Sequence, residues 1–153
     1  MEQIRFIDLF SGIGGMRIAF HNAGASCVFS SEIDKFARRT YEANFNDAPV
    51  GDITKVSSSE IPDFDMIINA TSVGLNIKDE INLDFSKIGE GKFFYDIIYN
   101  SKETDFLKKG KMMGNKIENG KKMFIYQAFE AFRLWHKIEP EINEETFKLL
   151  DND

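Results

Sequence analysis

Short apolar runs alternate with amphipathic stretches along most of the chain. Residues 4–10 form the first run, rich in Ile, Phe and Leu, and lead into a glycine-rich turn. Runs of this length predict buried strands, whereas apolar residues three and four positions apart, as in 34–45, predict helices. The pattern predicts strands at 4–10, 25–30, 48–53, 65–70, 93–99 and 116–118, and helices at 16–23, 34–45, 104–111, 123–137 and 143–150.

Strands that alternate with helices are typical of a parallel sheet covered on both faces. The sequence therefore predicts an α/β fold, a Rossmann-like doubly wound three-layer sandwich, formed by residues 1–153 as one domain. Right-handed crossovers favour the strand order 3-2-1-4-5-6. Such sheets bind ligands outside the carboxyl ends of the strands, at the point where the strand order reverses. This places Phe10 to Gly15, Glu32, Asp52 and Asn69 to Gly74 around one crevice.

Composition narrows the function classes. The 153 residues are 42% hydrophobic and 29% charged, as expected for a globular domain, and no apolar run is long enough for a membrane span or a signal peptide. One cysteine, Cys27, excludes an internal disulfide, and we expect a cytoplasmic protein. The net charge of −6 argues against DNA binding. Two isolated histidines predict no metal site.

The glycine turn is the first candidate binding element. A strand, a glycine turn and a helix point backbone N–H groups and a positive helix end toward a ligand. The spacing Gly12-x-Gly14-Gly15 is shorter than the full dinucleotide motif, and a turn that needs glycine only for packing is the alternative. Glu32 follows 20 residues after Gly12, where an acid binds the ribose diol of a nucleoside.

Three motifs in the first 65 residues resemble those of the DNA cytosine methyltransferases that alkylate carbon five. They are RFIDLFSGIGG at 5–15, SEID at 31–34 and GDI at 51–53. The resemblance implies a site for S-adenosylmethionine in which Glu32 binds the ribose and Asp52 with Ile53 binds the adenine. Ile33 stands where some members have an aromatic ring that stacks on adenine. The remaining implied contacts come from the glycine turn: Phe10, Ser11, Gly12, Ile13, Gly14 and Gly15.

From about residue 66 the chain is similar to a different family. INATSVGL at 68–75 and YDIIYN at 95–100 resemble the cofactor domain of shikimate dehydrogenases, and so do later segments up to residue 135. Lys122 stands where that family has a glycine beside the nicotinamide. The resemblance implies cofactor contacts from Asn69, Thr71, Ser72 and Tyr99, and a substrate contact from Gln127.

Both families place a fourth strand at residues 65–69, where the resemblance changes. The interpretation that needs fewest assumptions is an engineered chimera joined within that strand. A natural, degenerate homologue is the alternative.

Neither parental chemistry is complete. Cytosine methylation needs a Pro-Cys motif after the fourth strand, and residues 69–74 contain neither residue. The dehydrogenases take their catalytic Lys and Asp from an N-terminal domain that this sequence does not contain. We therefore predict no catalytic residues and no enzymatic activity. S-adenosylmethionine is the expected ligand, bound weakly, because Glu32 would repel the 2′-phosphate of NADP and makes NAD the second choice.

Two alternatives stay open at this point. One is a small oxidoreductase or methyltransferase that acts on a small molecule with a nucleotide cofactor. The other is a fragment that a partner domain completes in trans. The helix at 123–137 bears on the second alternative, since its apolar residues, including Phe132, Leu134 and Trp135, are predicted to be core. A helix that is apolar nearly all round must be covered on nearly all sides. We therefore also expect some exposed apolar surface and self-association through it.

Overall fold

The computed structural model describes residues 3–76, 81, 83–85 and 87–149. None of the helices in these ranges is long and apolar enough to cross a membrane. Leu150, the last residue of the predicted C-terminal helix, lies outside them. The strands are β1 Arg5–Asp8, β2 Ser26–Ser30, β3 Met66–Asn69, β4 Phe93–Asp96 and β5 Lys116–Glu118, and the helices are α1 Gly15–Asn22, α2 Lys35–Phe45, α3 Asp105–Met112, α4 Lys121–His136 and α5 Glu144–Leu149.

The described strands form one parallel sheet in the order β2-β1-β3-β4-β5. The α/β Rossmann-like fold is therefore confirmed. In register, Ile7 of β1 lies beside Ile67 of β3, which lies beside Phe94 of β4. The order matches the predicted one except for its outermost member.

The predicted and observed sheets differ at the predicted third strand, residues 48–53. Only Val50 pairs with the sheet, through a single parallel bridge to Ser31. Pro49 cannot donate to a ladder, and Asp52 starts a 3-10 turn at Ile53–Lys55 by accepting from the Thr54 N–H at 3.0 Å. The prediction of a full strand was wrong because these two residues terminate the pairing on either side of Val50.

Side-chain caps set where two helices begin. Asp34 Oδ1 accepts hydrogen bonds from the N–H groups of Phe36 and Ala37 at 2.9 and 2.7 Å, which makes Asp34 the N-cap of α2 as predicted. Thr104 caps α3 in the same way through the Leu107 N–H. Substitution of such a cap by Ala costs on the order of 1 kcal/mol.

The two faces of the sheet are covered unequally. Ile7, Ile67 and Phe94 belong to the larger core cluster, which Phe106 and Leu107 of α3 complete. The opposite face carries a smaller cluster of four buried residues, against which Met16 and Phe20 of α1 pack while staying half-exposed. This second face is the weaker half of the core. Its buried residues are Phe6, Ala25, Met66 and Ile68.

Helix α4 contributes little to the core. Ile125 is its one buried residue, and the Phe124 ring stacks on Tyr99 with 4.2 Å between centroids. Phe132, Leu134 and Trp135 are 40%, 56% and 80% exposed, so the prediction that they are core residues was wrong. The described residues of the segment 140–149 cover Phe132 only in part and leave Leu134 and Trp135 largely open, although their apolar character would normally place them inside. The exposed apolar surface expected from the sequence is present here.

We expect this surface to drive self-association. Leu134→Glu places a charge in the centre of the exposed apolar surface and should lower the apparent mass toward that of a monomer, as measured by light scattering at tens of micromolar protein. Ala43→Glu, which adds the same charge at an exposed position of α2, is the matched control and should leave the mass unchanged. A parent protein that is monomeric at every concentration would contradict the expectation.

Candidate functional site

Hydrogen bonds connect the predicted site segments along the carboxyl edge of the sheet. Glu32 N–H donates to the Val50 carbonyl at 2.8 Å, and Ser11 N–H donates to the Ser31 carbonyl at 2.9 Å. Leu9 N–H donates to the Ile68 carbonyl at 3.3 Å, one residue before Asn69. The structure therefore brings the glycine turn, Glu32, the segment before Asp52 and the segment from Asn69 onward to one edge, in the arrangement that the sequence predicts.

Glycine is required at one position of the turn for two reasons. Gly14 has φ +99°, which side-chain-bearing residues rarely adopt, and a Cβ there would overlap the ring of Phe45 on α2. Gly12 also has a positive φ, of +52°, but no atom would meet its Cβ. The turn leads directly into α1, whose N-terminus has no side-chain cap and no acid in its first turn. Its first N–H groups are therefore available to an anionic or polar ligand group.

The Glu32 carboxylate lies against this turn. Its Oε2 accepts from the Gly12 N–H at 2.8 Å, and its Oε1 accepts from the Asp34 N–H at 2.8 Å. An ionised carboxylate can accept about four hydrogen bonds. Each Glu32 oxygen therefore keeps a free lone pair, so the side chain can bind a pair of hydroxyl groups without leaving the backbone.

Asp8, at the end of β1, is a functional candidate that the sequence reasoning passed over. The residue is fully buried, and neither carboxylate oxygen has a hydrogen-bond partner among the described residues. Burial raises the pKa of this carboxyl to about 7; the Phe10 N–H opposes the effect and the nearby negative charge of Glu32 adds to it. The available signal was an acid placed between the apolar residues Ile7 and Leu9.

The residues that the methyltransferase resemblance implies near the adenine are divided between the surface and the core. Ile33 and Ile13 are 70% and 59% exposed, so both side chains are accessible to a ligand. Asp52 accepts from the Thr54 hydroxyl at 2.7 Å, and this hydrogen bond is the main reason that its pKa is lowered. The Ile53 side chain is buried in the core, which leaves its backbone for any ligand contact.

A buried polar network holds the loop after β3. Asn69 donates to Asp96 Oδ1 at 3.1 Å and accepts from the Thr71 hydroxyl at 2.7 Å. Asp96 also accepts from the Ile98 N–H at 3.0 Å and the Thr104 hydroxyl at 2.6 Å, while burial raises its pKa. These contacts use the side chains of Asn69, Thr71 and Asp96 to fix the loop. Their structural role is therefore established by geometry, and Asp96 is poorly placed to act as an acid.

The other dehydrogenase-like positions are accessible. Ser72 and Gln127 are exposed, and Tyr99 is 44% exposed beside Phe124. Lys122 of α4 makes an ion pair with Glu118 of β5 at 3.2 Å. Cys27 is half-buried in β2, where burial raises the pKa of its thiol, which disfavours the nucleophilic thiolate. Within the described ranges, no cluster of three His, Cys, Asp or Glu residues could hold a metal ion.

Comparison with known proteins places two families on this chain. Residues 4–71 match the family model for C-5 cytosine-specific DNA methylases. The type II methyltransferase M.DsaV of Dactylococcopsis salina is 61% identical over 67 residues, which are 44% of this chain and 19% of that protein. The family-model match at residues 4–71 covers the glycine turn, Glu32 and Asp52.

The second similarity is to shikimate dehydrogenases. Shikimate dehydrogenase (NADP(+)) of Pelagibacter ubique (strain HTCC1062) is 57% identical over 100 residues, which are 65% of this chain and 38% of that protein. The crystal structure of shikimate dehydrogenase from Aquifex aeolicus superposes with a TM-score of 0.75 and 28% identity, over 99% of this chain and 55% of that one.

The chain thus spans about half or less of each protein that it matches. A 100-residue match cannot fit outside residues 4–71, so the two similarities overlap, and a junction within 65–69 stays a prediction. On one Rossmann-like sheet, the chain combines the sequence features of a C-5 cytosine-specific DNA methylase with those of a shikimate dehydrogenase.

Proposed function

We propose that the chain binds S-adenosylmethionine, or a related adenosine ligand, at the crevice along the carboxyl edge of the sheet. The observation that carries the proposal is the Glu32 carboxylate, held 2.8 Å from the Gly12 N–H at the mouth of the glycine turn. Its free lone pairs suit the two hydroxyls of a ribose. The match of residues 4–71 to a methylase family supports the same ligand.

The negative charge of the crevice favours some nucleoside ligands over others. The crevice carries negative potential from Glu32, and Asp8 adds to it only above its pKa of about 7. This potential opposes a 2′-phosphate, which makes NADP the poorest candidate and NAD second to S-adenosylmethionine. S-adenosylmethionine carries a positive sulfonium and fits the potential better.

The proposal includes no catalysis. The single thiol, Cys27, lies in β2, and Asp96 is occupied by three hydrogen bonds, so neither group supports the nucleophile or the acid that the two chemistries require. We further propose that the chain does not bind DNA, since its net charge is −6. We also propose an engineered joining of two parental segments as the origin of the chain, which its similarity to two families supports.

Calorimetric titration with S-adenosylmethionine and S-adenosylhomocysteine tests the binding. We expect saturation, and we expect Glu32→Ala to weaken binding at least tenfold, because the ribose loses two charge-assisted hydrogen bonds. Glu42→Ala, an exposed acid on α2, is the matched control and should bind as the parent does. No heat or shift in melting temperature at millimolar ligand would refute the proposal.

The similarity to dehydrogenases across the whole fold supports one alternative, an oxidoreductase that uses a nicotinamide cofactor. Turnover of reduced nicotinamide with small hydroxy or keto acids would establish it. We expect none, because the described residues around Asn69 and Thr71 fix a loop and leave no unengaged general acid beside it.

A further inference from the structure

A cavity of about 480 Å³ lies on the face of the sheet that carries the larger core cluster. Its floor is formed by Ile7 of β1, Leu9 just after β1, and Ile67 of β3. In a doubly wound fold this face is normally covered by crossover helices. Here the 3-10 turn and irregular chain cover it, and the described residues between β3 and β4 include no helix. Irregular chain leaves the central strands incompletely packed, which creates the cavity.

The size and lining of the cavity suit a small apolar molecule. Ile53 and Ile61 form one wall and Ile88 forms part of the other. Its volume falls within the range of about 300–1,000 Å³ that is typical of small-molecule sites. These apolar walls would hold the body of such a molecule, while Thr54, Ser58 and Asp63 add polar groups to the lining.

Charges at the rim define the polar end of the ligand. The Lys92 amine is bound to Asp63 Oδ1 at 2.8 Å and to the Phe64 carbonyl at 2.6 Å, so it is not available. Lys87 is exposed at the rim and makes no ion pair with the part of the chain that the structure describes. Asp84 and Glu90 also line the rim and would repel a polyanion.

We propose that this cavity is a second binding site, for an apolar small molecule with a single anionic head group such as an aromatic carboxylate or sulfonate. The apolar body lies on the floor formed by the central strands, and Lys87 pairs with the head group. This site does not depend on the ligand of the crevice, although Ile53 and Thr54 of its wall directly follow Asp52 in the chain.

Fluorescence titration with 8-anilinonaphthalene-1-sulfonate tests the proposal, with the neutral N-phenyl-1-naphthylamine as a second probe. We expect saturable binding of both probes to a protein that still unfolds cooperatively. Ile61→Trp fills the cavity and should weaken both probes at least tenfold. Lys87→Met should weaken only the sulfonate, about two- to fivefold, as expected for an exposed ion pair. Lys108→Met, another exposed lysine, is the control and should change neither affinity.

The apolar groove between α4 and the segment 140–149 is the competing location for these probes. Leu149→Glu changes that groove at an exposed position and should leave both affinities unaltered. Loss of binding in Leu149→Glu, or unchanged binding in Ile61→Trp, would overturn the proposal. If Ile61→Trp does not fold, amide chemical shifts of the parent decide: changes at Ile7 and Ile67 support the site, and changes confined to Phe124 and Ile125 refute it.

Discussion

Asp8→Asn is expected to remove most of the loss of stability that the parent protein shows between pH 4 and pH 8. The Asp8 carboxyl has a pKa of about 7 in the folded protein, against an ordinary value of 3.8. A shift of about three units corresponds to about 4 kcal/mol of differential interaction. We therefore expect the free energy of unfolding of the parent to fall by about that amount relative to the variant over this range.

The sign follows from which state binds the proton more tightly. Folded Asp8 is protonated below about pH 7, because burial and the charge of Glu32 disfavour its ionised form. In the unfolded chain it ionises near its ordinary pKa. The contribution is therefore fully present below pH 4 and is lost as the pH rises through 7. Urea denaturation of parent and variant at several pH values measures it.

Asp63→Asn is the matched control. Asp63 is ionised in both states across this range, since Lys92 and Arg5 lower its pKa to about 2 in the folded protein. Its variant should therefore keep the slope of the parent between pH 4 and pH 8. If the free energies of unfolding of Asp8→Asn and the parent change in parallel with pH, the pKa of Asp8 is not raised and the prediction is wrong.

Gly14→Ala is expected to lower stability by about 3 kcal/mol. Alanine at φ +99° costs about 1–2 kcal/mol, and its Cβ would overlap the Phe45 ring, which must then move at a cost of similar size. For a chain of this length the loss corresponds to a melting temperature lower by roughly 10 °C. Differential scanning calorimetry measures the change.

Gly15→Ala tests whether the loss of stability is specific to position 14 or follows from replacing any glycine of this turn. Gly15 is the first residue of α1, and a Cβ there would meet no atom within 4 Å. Alanine favours a helix by about 1 kcal/mol over glycine, so this neighbour should be neutral or slightly stabilised. Equal destabilisation at both positions would mean that the turn tolerates no side chain for a reason other than φ and the Phe45 contact.

Local sequence signals were sufficient to predict the sheet and most of the helices. Asp34 preceding an amphipathic run predicted the start of α2, and apolar runs located β1 and β3. The pattern failed where tertiary context decides. Trp135 is apolar and yet 80% exposed, because nothing in the described residues packs over that side of α4. The sequence of a single segment does not show which other segments pack over it.

The candidate site was predictable as a set of positions but not as a set of roles. Glycine spacing and the position of Glu32 predicted that the two segments lie together, and the Gly12 N–H does donate to the Glu32 carboxylate. Asn69 gave no local sign that its side chain would donate to Asp96, since that contact depends on the register of β3 and β4. The burial of Asp8 could not be predicted either. The alternation of apolar and polar residues does not show how completely α1 and the glycine turn cover the end of β1.

The single bridge at Val50 has a consequence for how the chain behaves in solution. Without a full outer strand, β2 becomes the edge of the sheet, and its sequence SCVFS contains no charge to discourage pairing. Only the Cys27 N–H has a side-chain acceptor there, His21 Nε2 at 3.3 Å. The opposite edge, β5, carries Lys116 and Glu118. Addition of a foreign strand is therefore favoured at β2, which makes this edge the place where aggregation of the folded protein would begin.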